Sequence, residues 1–457
     1  MPKVTRSCNR RSHLKTDQFS PADHKSSGER HYMLACTSCG WRHEDDGLIL
    51  NCPQDHSPAL LQTEYACRQF KPYTNRNGIF RYQDWLPVVG EQRYMGRTAV
   101  YRSRGLAKTL GIPNLWIAFN GYWPERGAEL ETATFKEFEA YTVLGRLPEH
   151  QVILTVASSG NTGAAFAWAC SRSGRPCLLI IPGRGLSRLQ FQTPLDPCVR
   201  LVVIDDGDYP DAIDLAAAMC HTPPFQPEGG IQNVGRRDGL ATVLLSAFEE
   251  MQCLPTHYFQ AVGSGTGAIA VLEAAKRVRA AAGDMDLPRL LLCQNLPFVP
   301  IYDAWQMNLR SLNGESTERF RKAITHVYAD ELTNWKPPYG ICGGVYDSLV
   351  QSRGDVVVAD NDSVRIAMDM FLELEGTDIE PAAGVAVACL AECAAQEKID
   401  RDSVVLLNVT GGGRRRLSQN YTLLQAKPHL RLRRESLADP DTVQKITALC
   451  VSASPIP

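Results

Sequence analysis

QVILTVASSGNTGAAFAWACSRSG (151–174) reads as a short apolar strand, a glycine-bearing loop and an alanine-rich helix. The same order recurs twice. HYFQAVGSGTGAIAVLEAAKRVRAAA (257–282) passes from apolar run to glycines to helix, and SVVLLNVTGGG (403–413) ends on a third glycine loop. Further apolar runs, PCLLIIPG (176–183), RLVVID (200–205) and RLLLCQ (289–294), stand between helical stretches. Runs rich in Val, Ile and Leu that alternate with helices predict parallel strands buried on both faces, hence an α/β fold. In such sheets ligands collect at the carboxyl ends of the strands. Helix N-termini there offer unpaired amides and a favourable dipole to anions, and glycine lets the anion approach. SSGNTG (158–163), GSGTG (263–267) and TGGG (410–413) together predict a small ligand with more than one anionic group. GSGTG has neither the GxGxxG spacing of a dinucleotide fingerprint nor the lysine of a P-loop.

A fourth segment, TATFKEFEA (132–140), carries Lys136. Thr134 with Glu137 three residues on fits a capping box and puts Lys136 in the first turn of a helix. The positive end of the dipole disfavours an ammonium there, so the residue is either a surface lysine or an amine of depressed pKa able to form a Schiff base.

Composition narrows the function class. The 457 residues, 44% hydrophobic and 21% charged with a formal net charge of −2, suit a globular chain of several domains and carry no nucleic-acid footprint. Fifteen cysteines, an odd number spread over a long chain, predict reduced thiols in a cytoplasmic protein. No apolar stretch follows the basic start, and the longest small-apolar run (381–395) holds Glu392 and is too short to cross a bilayer, so neither a secretory signal nor a membrane span is expected.

Along the chain, residues 1–30 are polar and expected to be disordered, and 31–84 form a degenerate zinc-ribbon-like region. Residues 85–425 form the main region, with a smaller subdomain at about 140–230, and 426–457 are a solvated basic tail. Cys36, Cys39 and Cys52 make C-x2-C-x12-C, three-quarters of a zinc ribbon, and His56 could complete a Cys3His structural site. We read the cluster as a remnant ribbon whose cysteines pack, with structural zinc as the other reading. EPAAG (380–384) is read as packing, Tyr122 and Trp123 either shape the wall near Lys136 or pack in the core, and Tyr339 is a candidate for a loop lining the substrate entrance.

A lysine in T-x-T-F-K, then S-x-G-N-T-G, GSGTG and a late TGGG resembles the fold type II pyridoxal-5′-phosphate (PLP) enzymes, the group of threonine synthase and cysteine synthase. FNGYWPERGAELETATFKEFEA (119–140), QPEGGIQNVGRRDG (226–239), CQNLPFVPIYDAWQ (293–306) and LTNWKPPYGICGGVYDSL (332–349) resemble the cysteate synthase family in particular. The resemblance spans roughly residues 31–425. It implies a tryptophan synthase β-like fold of two three-layer parallel-sheet domains with a small cysteine-containing extension, and a homo-oligomer. It implies PLP as cofactor, with Lys136 forming the Schiff base, Asn161 bonding the ring's phenolic oxygen, Gly263, Ser264, Gly265, Thr266 and Gly267 cradling the phosphate, and Thr410 facing the pyridine nitrogen. A hydroxyl there makes the ring a weaker electron sink than an aspartate would, which suits elimination and β-replacement. Ser158, Ser159, Gly160 and Thr162 would hold the substrate carboxylate. Arg236 and Arg237, with Arg126 a weaker candidate, would meet the leaving phosphate. The implied reaction joins O-phospho-L-serine and sulfite into L-cysteate and phosphate. The alternatives are a threonine synthase-like enzyme on O-phosphohomoserine, β-replacement with another nucleophile, and a PLP-free binding protein that kept the fold.

Overall fold

The computed structural model describes residues 30–451 apart from 91–92, 149–151, 159, 313–316, 335–336 and 440. The segment expected to be disordered therefore lies, but for Arg30, outside the described residues.

Two sheets carry the fold. The larger has six strands in the order Asp355–Ala359, Arg289–Asn295, His257–Ala261, Val405–Val409, Leu115–Phe119 and Ala99–Arg102. All pair in parallel except the last, which runs antiparallel to its neighbour. The smaller sheet is parallel throughout: Phe225–Pro227, Ile153–Ala157, Cys177–Pro182, Val199–Ile204 and Leu430–Leu432. Every residue of Cys177–Pro182 and Val405–Val409 is buried, as expected of strands covered by helices on both faces. The short strands Leu115–Phe119 and Asp355–Ala359 were not anticipated, because runs of four or five apolar residues with no glycine loop behind them look like any buried segment.

The tail beyond residue 425 is not a solvated appendage. Leu430–Leu432 pairs in parallel with Val202–Ile204, and the helix Asp441–Val451 buries Ile446 and Cys450 against the same sheet. Arginines flanking a three-residue strand hid it: Arg431 points outward to Asp205 while Leu432 is buried.

Between the sheets lie three helices, Lys136–Arg146, Val234–Met251 and Thr266–Ala282, the second packed against both others. Gly239 permits that approach, since a Cβ there would stand 2.3 Å from the carbonyl oxygen of Phe138. A small antiparallel sheet, Arg42–Glu44, Tyr32–Cys36 and Leu61–Tyr65, docks on this helical layer. Its anchor is a fully buried ion pair. Arg146 Nε and Nη2 donate to the two oxygens of Asp45 at 2.7 and 2.8 Å.

Candidate active site

Three strand ends converge on one cavity of about 680 Å³, within the range of small-molecule sites. Its wall includes Ser158, Gly160, Asn161 and Thr162 from the first glycine loop, Gly263–Gly267 from the second and Thr410 from the third. Lys136 and Arg236 line it as well. Ser159 lies outside the described residues. The lysine turn is held to the third loop by main-chain bonds. Phe135 N donates to Thr410 O and Gly412 N to Ala133 O, both at 3.0 Å. Ala133 itself takes φ +57, a left-handed conformation that side chains resist and that tertiary contacts must hold in place.

Lys136 is the first residue of its helix, as expected, but the capping box does not form. Thr134 Oγ1 is buried with no hydrogen-bond partner among the described residues. Glu137 instead reaches back to Thr132, accepting from its amide and its hydroxyl, and also accepts from Tyr94 Oη at 2.7 Å. Burial outweighs these donors and pushes the Glu137 carboxyl up to about 7.

The surroundings of Lys136 are charged. Its Nζ stands 3.3 Å from Glu139 Oε2, one helical turn on, and the side chain is only 20% exposed. Glu139 Oε1 accepts from Arg236 Nη2 at 2.6 Å and from Thr162 Oγ1 at 3.1 Å, while Arg236 Nη1 pairs with Glu228 at 3.2 Å. Burial lowers the lysine pKa, and Arg236 adds to the fall against the pull of Glu139. For Glu139 burial acts upward, but Arg236 and Lys136 together hold the carboxyl below its usual range. Glu228 is raised by burial. The result is an amine less protonated than a surface lysine, as a Schiff-base nucleophile requires.

In the loop at 263–267, Gly265 and Gly267 have no room for a side chain. A Cβ on Gly265, which has φ +78, would lie 2.2 Å from Val345 Cγ2, and one on Gly267 would lie 2.3 Å from Gln260 Nε2. The helix Thr266–Ala282 starts there with glycine as its N-cap; Thr266 N contacts Ser264 Oγ at 3.4 Å and Ala268 N bonds Gly265 O at 3.0 Å, so the positive end of the helix dipole faces this loop and favours an anion. A cradle of this kind, an amine in the same cavity and a hydroxyl residue at Thr410 fit a ligand with a phosphate, an aldehyde and a ring nitrogen.

Several expectations need correction. Arg237 does not reach the cavity: it is 1% exposed, pairs with Glu273 at 3.2 Å and donates to the carbonyls of Ile231 and Leu61, so it holds the helical layer to the small sheet. Arg126 stacks its guanidinium 3.9 Å from the Tyr101 ring centroid and 4.6 Å from that of Trp123, and is not among the cavity residues. Tyr339 is buried against Tyr346, while its neighbours Pro338 and Ile341 line the cavity. Ser158 Oγ turns to its own loop and accepts from Gly163 N at 2.8 Å. Glu380 does more than pack. Its carboxylate accepts from Asn161 Nδ2 at 2.6 Å and from Arg414 Nε at 2.5 Å, so it sets the orientation of the Asn161 amide. Glu331, a further wall residue, is pushed up to about 7 by burial and the nearby Glu380. Glu139 was legible, three residues past Lys136 on a helix; Glu228, Glu331 and Glu380 were not, because only folding brings them here.

The four residues Cys36, Cys39, Cys52 and His56 bring one ligand atom each within 4.8 Å of one another and are not among the residues lining this cavity. Cys39 is exposed, so apolar packing does not account for its place in the group.

Comparison with known proteins assigns the family. The chain matches the family described as "Pyridoxal-phosphate dependent enzyme" over residues 92–411. It is 44% identical over 397 residues to the cysteate synthase of Methanosphaerula palustris, covering 86% of this chain and 92% of that protein. Identity is 43% over 405 residues with the cysteate synthase of Methanoculleus marisnigri (88% and 93% covered) and 40% over 407 with that of Methanospirillum hungatei (89% and 95%). The chain belongs to the cysteate synthase family of PLP-dependent enzymes. Among solved structures it is similar to maize serine racemase, with TM-score 0.54 and 17% identity over 71% of this chain and 91% of that one, a likeness of fold alone. The protein is thus an enzyme of fold type II that uses PLP. Among the described residues no helix is long and apolar enough to cross a membrane.

Proposed function

We propose that this enzyme performs β-replacement on O-phospho-L-serine, exchanging phosphate for sulfite to give L-cysteate. The observation that carries the proposal is one cavity in which Lys136, the glycine cradle and the cation of Arg236 stand together, in a chain 39–44% identical to curated cysteate synthases.

Gly263–Gly267 would hold the cofactor phosphate, Asn161 the phenolic oxygen and Thr410 the ring nitrogen. When bound, PLP supplies an aldehyde for the substrate amine and a ring that acidifies the α-carbon. Lys136 then acts through Nζ, taking the α-proton as general base and returning it at the end of the cycle. Burial and Arg236 lower the pKa of that nitrogen against the pull of Glu139, which favours its action as a base. Gly160 and Thr162, in a loop braced by Ser158 Oγ, would hold the substrate carboxylate. The phosphate leaves with the Cβ–O electron pair, and sulfite adds to Cβ through sulfur. Both are anions, and Arg236 is the cation on that wall. Glu139 and Glu228 fix its position and offset its charge.

The test combines fixation and substrate choice. Borohydride should fix the cofactor on Lys136 of the wild type, and Lys136→Ala should lose both fixation and turnover. Phosphoserine, O-acetylserine and phosphohomoserine are then each offered with sulfite, sulfide or water. Phosphate release from phosphoserine that depends on sulfite supports the proposal, whereas release from phosphohomoserine with water alone replaces it by threonine formation.

A further inference from the structure

The cysteine and histidine cluster of the N-terminal sheet gathers four ligand atoms within 4.8 Å of one another, and two of its edges match those of an occupied metal site. Tetrahedral zinc with Zn–S near 2.3 Å and Zn–N near 2.05 Å has edges of about 3.8 Å between sulfurs and about 3.6 Å between sulfur and nitrogen. Here Cys39 Sγ and Cys52 Sγ are 3.7 Å apart, and Cys36 Sγ and His56 Nε2 are 3.4 Å apart. The first separation is far beyond the roughly 2.05 Å of a disulfide bond.

Local structure points the four groups inward. Cys36 ends the strand Tyr32–Cys36, and a turn closed by Gly40 N donating to Cys36 O at 3.1 Å, with Gly40 at φ +71, brings Cys39 back beside it. Ser38 N points at Cys36 Sγ from 3.4 Å, as main-chain amides do toward a metal-bound thiolate. His56 Nδ1 lies 2.7 Å from the carbonyl oxygen of Ser57. That contact places the ring proton on Nδ1 and leaves the Nε2 lone pair facing the sulfurs, the outer-shell arrangement of metal-bound histidine.

We infer that Cys36, Cys39, Cys52 and His56 bind one structural zinc ion that clasps the N-terminal sheet and fixes one wall of the active-site cavity. Four protein ligands leave no open position, so the metal takes no part in the chemistry. Its effect is mechanical. Without it, among the described residues, the loop from Cys52 to His56 meets the turn at 36–40 through weak thiol contacts. That loop leads into Pro58 and Ala59, which line the cavity. The same segment is laced to residue 342: Cys342 N donates to Pro58 O at 3.1 Å, Leu60 N to Cys342 O at 2.9 Å, and Thr37 Oγ1 to Cys342 O at 3.1 Å. Ile341 and Pro338, on the other side of this seam, complete the wall.

The test uses the full-length protein purified under reducing conditions without chelator, and its readout does not depend on which reaction the enzyme catalyses. Elemental analysis should find one zinc per chain, falling below about a tenth in Cys39→Ser and unchanged in Cys342→Ser, whose sulfur is not a ligand. If Cys39→Ser does not fold, the wild type still decides. Protein stripped by chelator and reloaded with cobalt(II) should show thiolate-to-cobalt charge-transfer bands and the intense visible bands of a tetrahedral site. Protein that holds neither zinc nor cobalt after reduction and reloading overturns the inference, as does a disulfide between Cys39 and Cys52 found by peptide mapping of protein isolated without oxidant.

Discussion

Replacing Glu139 by glutamine removes the carboxylate nearest Lys136 while keeping the shape of the side chain. Glu139 Oε2 is 3.3 Å from Nζ, and its other oxygen holds Arg236 at 2.6 Å. At an effective dielectric near 20 the bare attraction over 3.3 Å is about 5 kcal/mol, an upper bound for a lysine that keeps some solvent contact. Charged hydrogen bonds contribute a net of about 1.5–3 kcal/mol, equivalent to roughly one to two pKa units. Removing the carboxylate also leaves Arg236 compensated by Glu228 alone, so its positive charge acts more strongly on the lysine, in the same direction. The Lys136 amine of Glu139→Gln should therefore titrate about one to two units lower than in the wild type. The assay strips the cofactor and follows the rate at which the apo-protein captures added PLP, across roughly pH 6 to 10, by the visible band of the product. The midpoint of that profile belongs to the amine. Glu139→Asp, which keeps the charge, should stay nearer the wild-type midpoint. A midpoint in Glu139→Gln that is unmoved, or moved upward, would refute the idea that Glu139 and Arg236 set the reactivity of Lys136.

Gly265→Ala must place a methyl group at φ +78 against Val345, and the left-handed conformation alone costs about 1–2 kcal/mol. PLP binding, measured by titrating apo-protein, should weaken roughly tenfold, and undiminished affinity would show that the loop is not the phosphate cradle. Glu137 predicts a pH dependence of stability. Its folded pKa, about 7, lies above the ordinary 4.5, so the folded state keeps a proton that the unfolded state has lost, and stability falls as pH rises through this window. The contribution is about 3 kcal/mol, and thermal unfolding of Glu137→Gln should lack that part of the slope.

The sequence alone determined the fold class, the order of the three glycine loops and the place of Lys136. Each is a local signal: strand, loop and helix follow one another in the chain, and glycine marks where main chain must meet an anion. Even Cys36, Cys39, Cys52 and His56 were visible by spacing. Tertiary structure decided what the charges do. Arg236 and Arg237 are adjacent in the chain, yet successive helix residues point about 100° apart, so one side chain enters the cavity while its neighbour is buried against Glu273 and the small sheet. Glu228 and Glu380 come from distant segments to offset the charge of Arg236 and to orient Asn161. The strand Leu430–Leu432 exists because Val199–Ile204 leaves an unpaired edge for it to cover, a requirement of the assembled sheet that no short segment carries by itself.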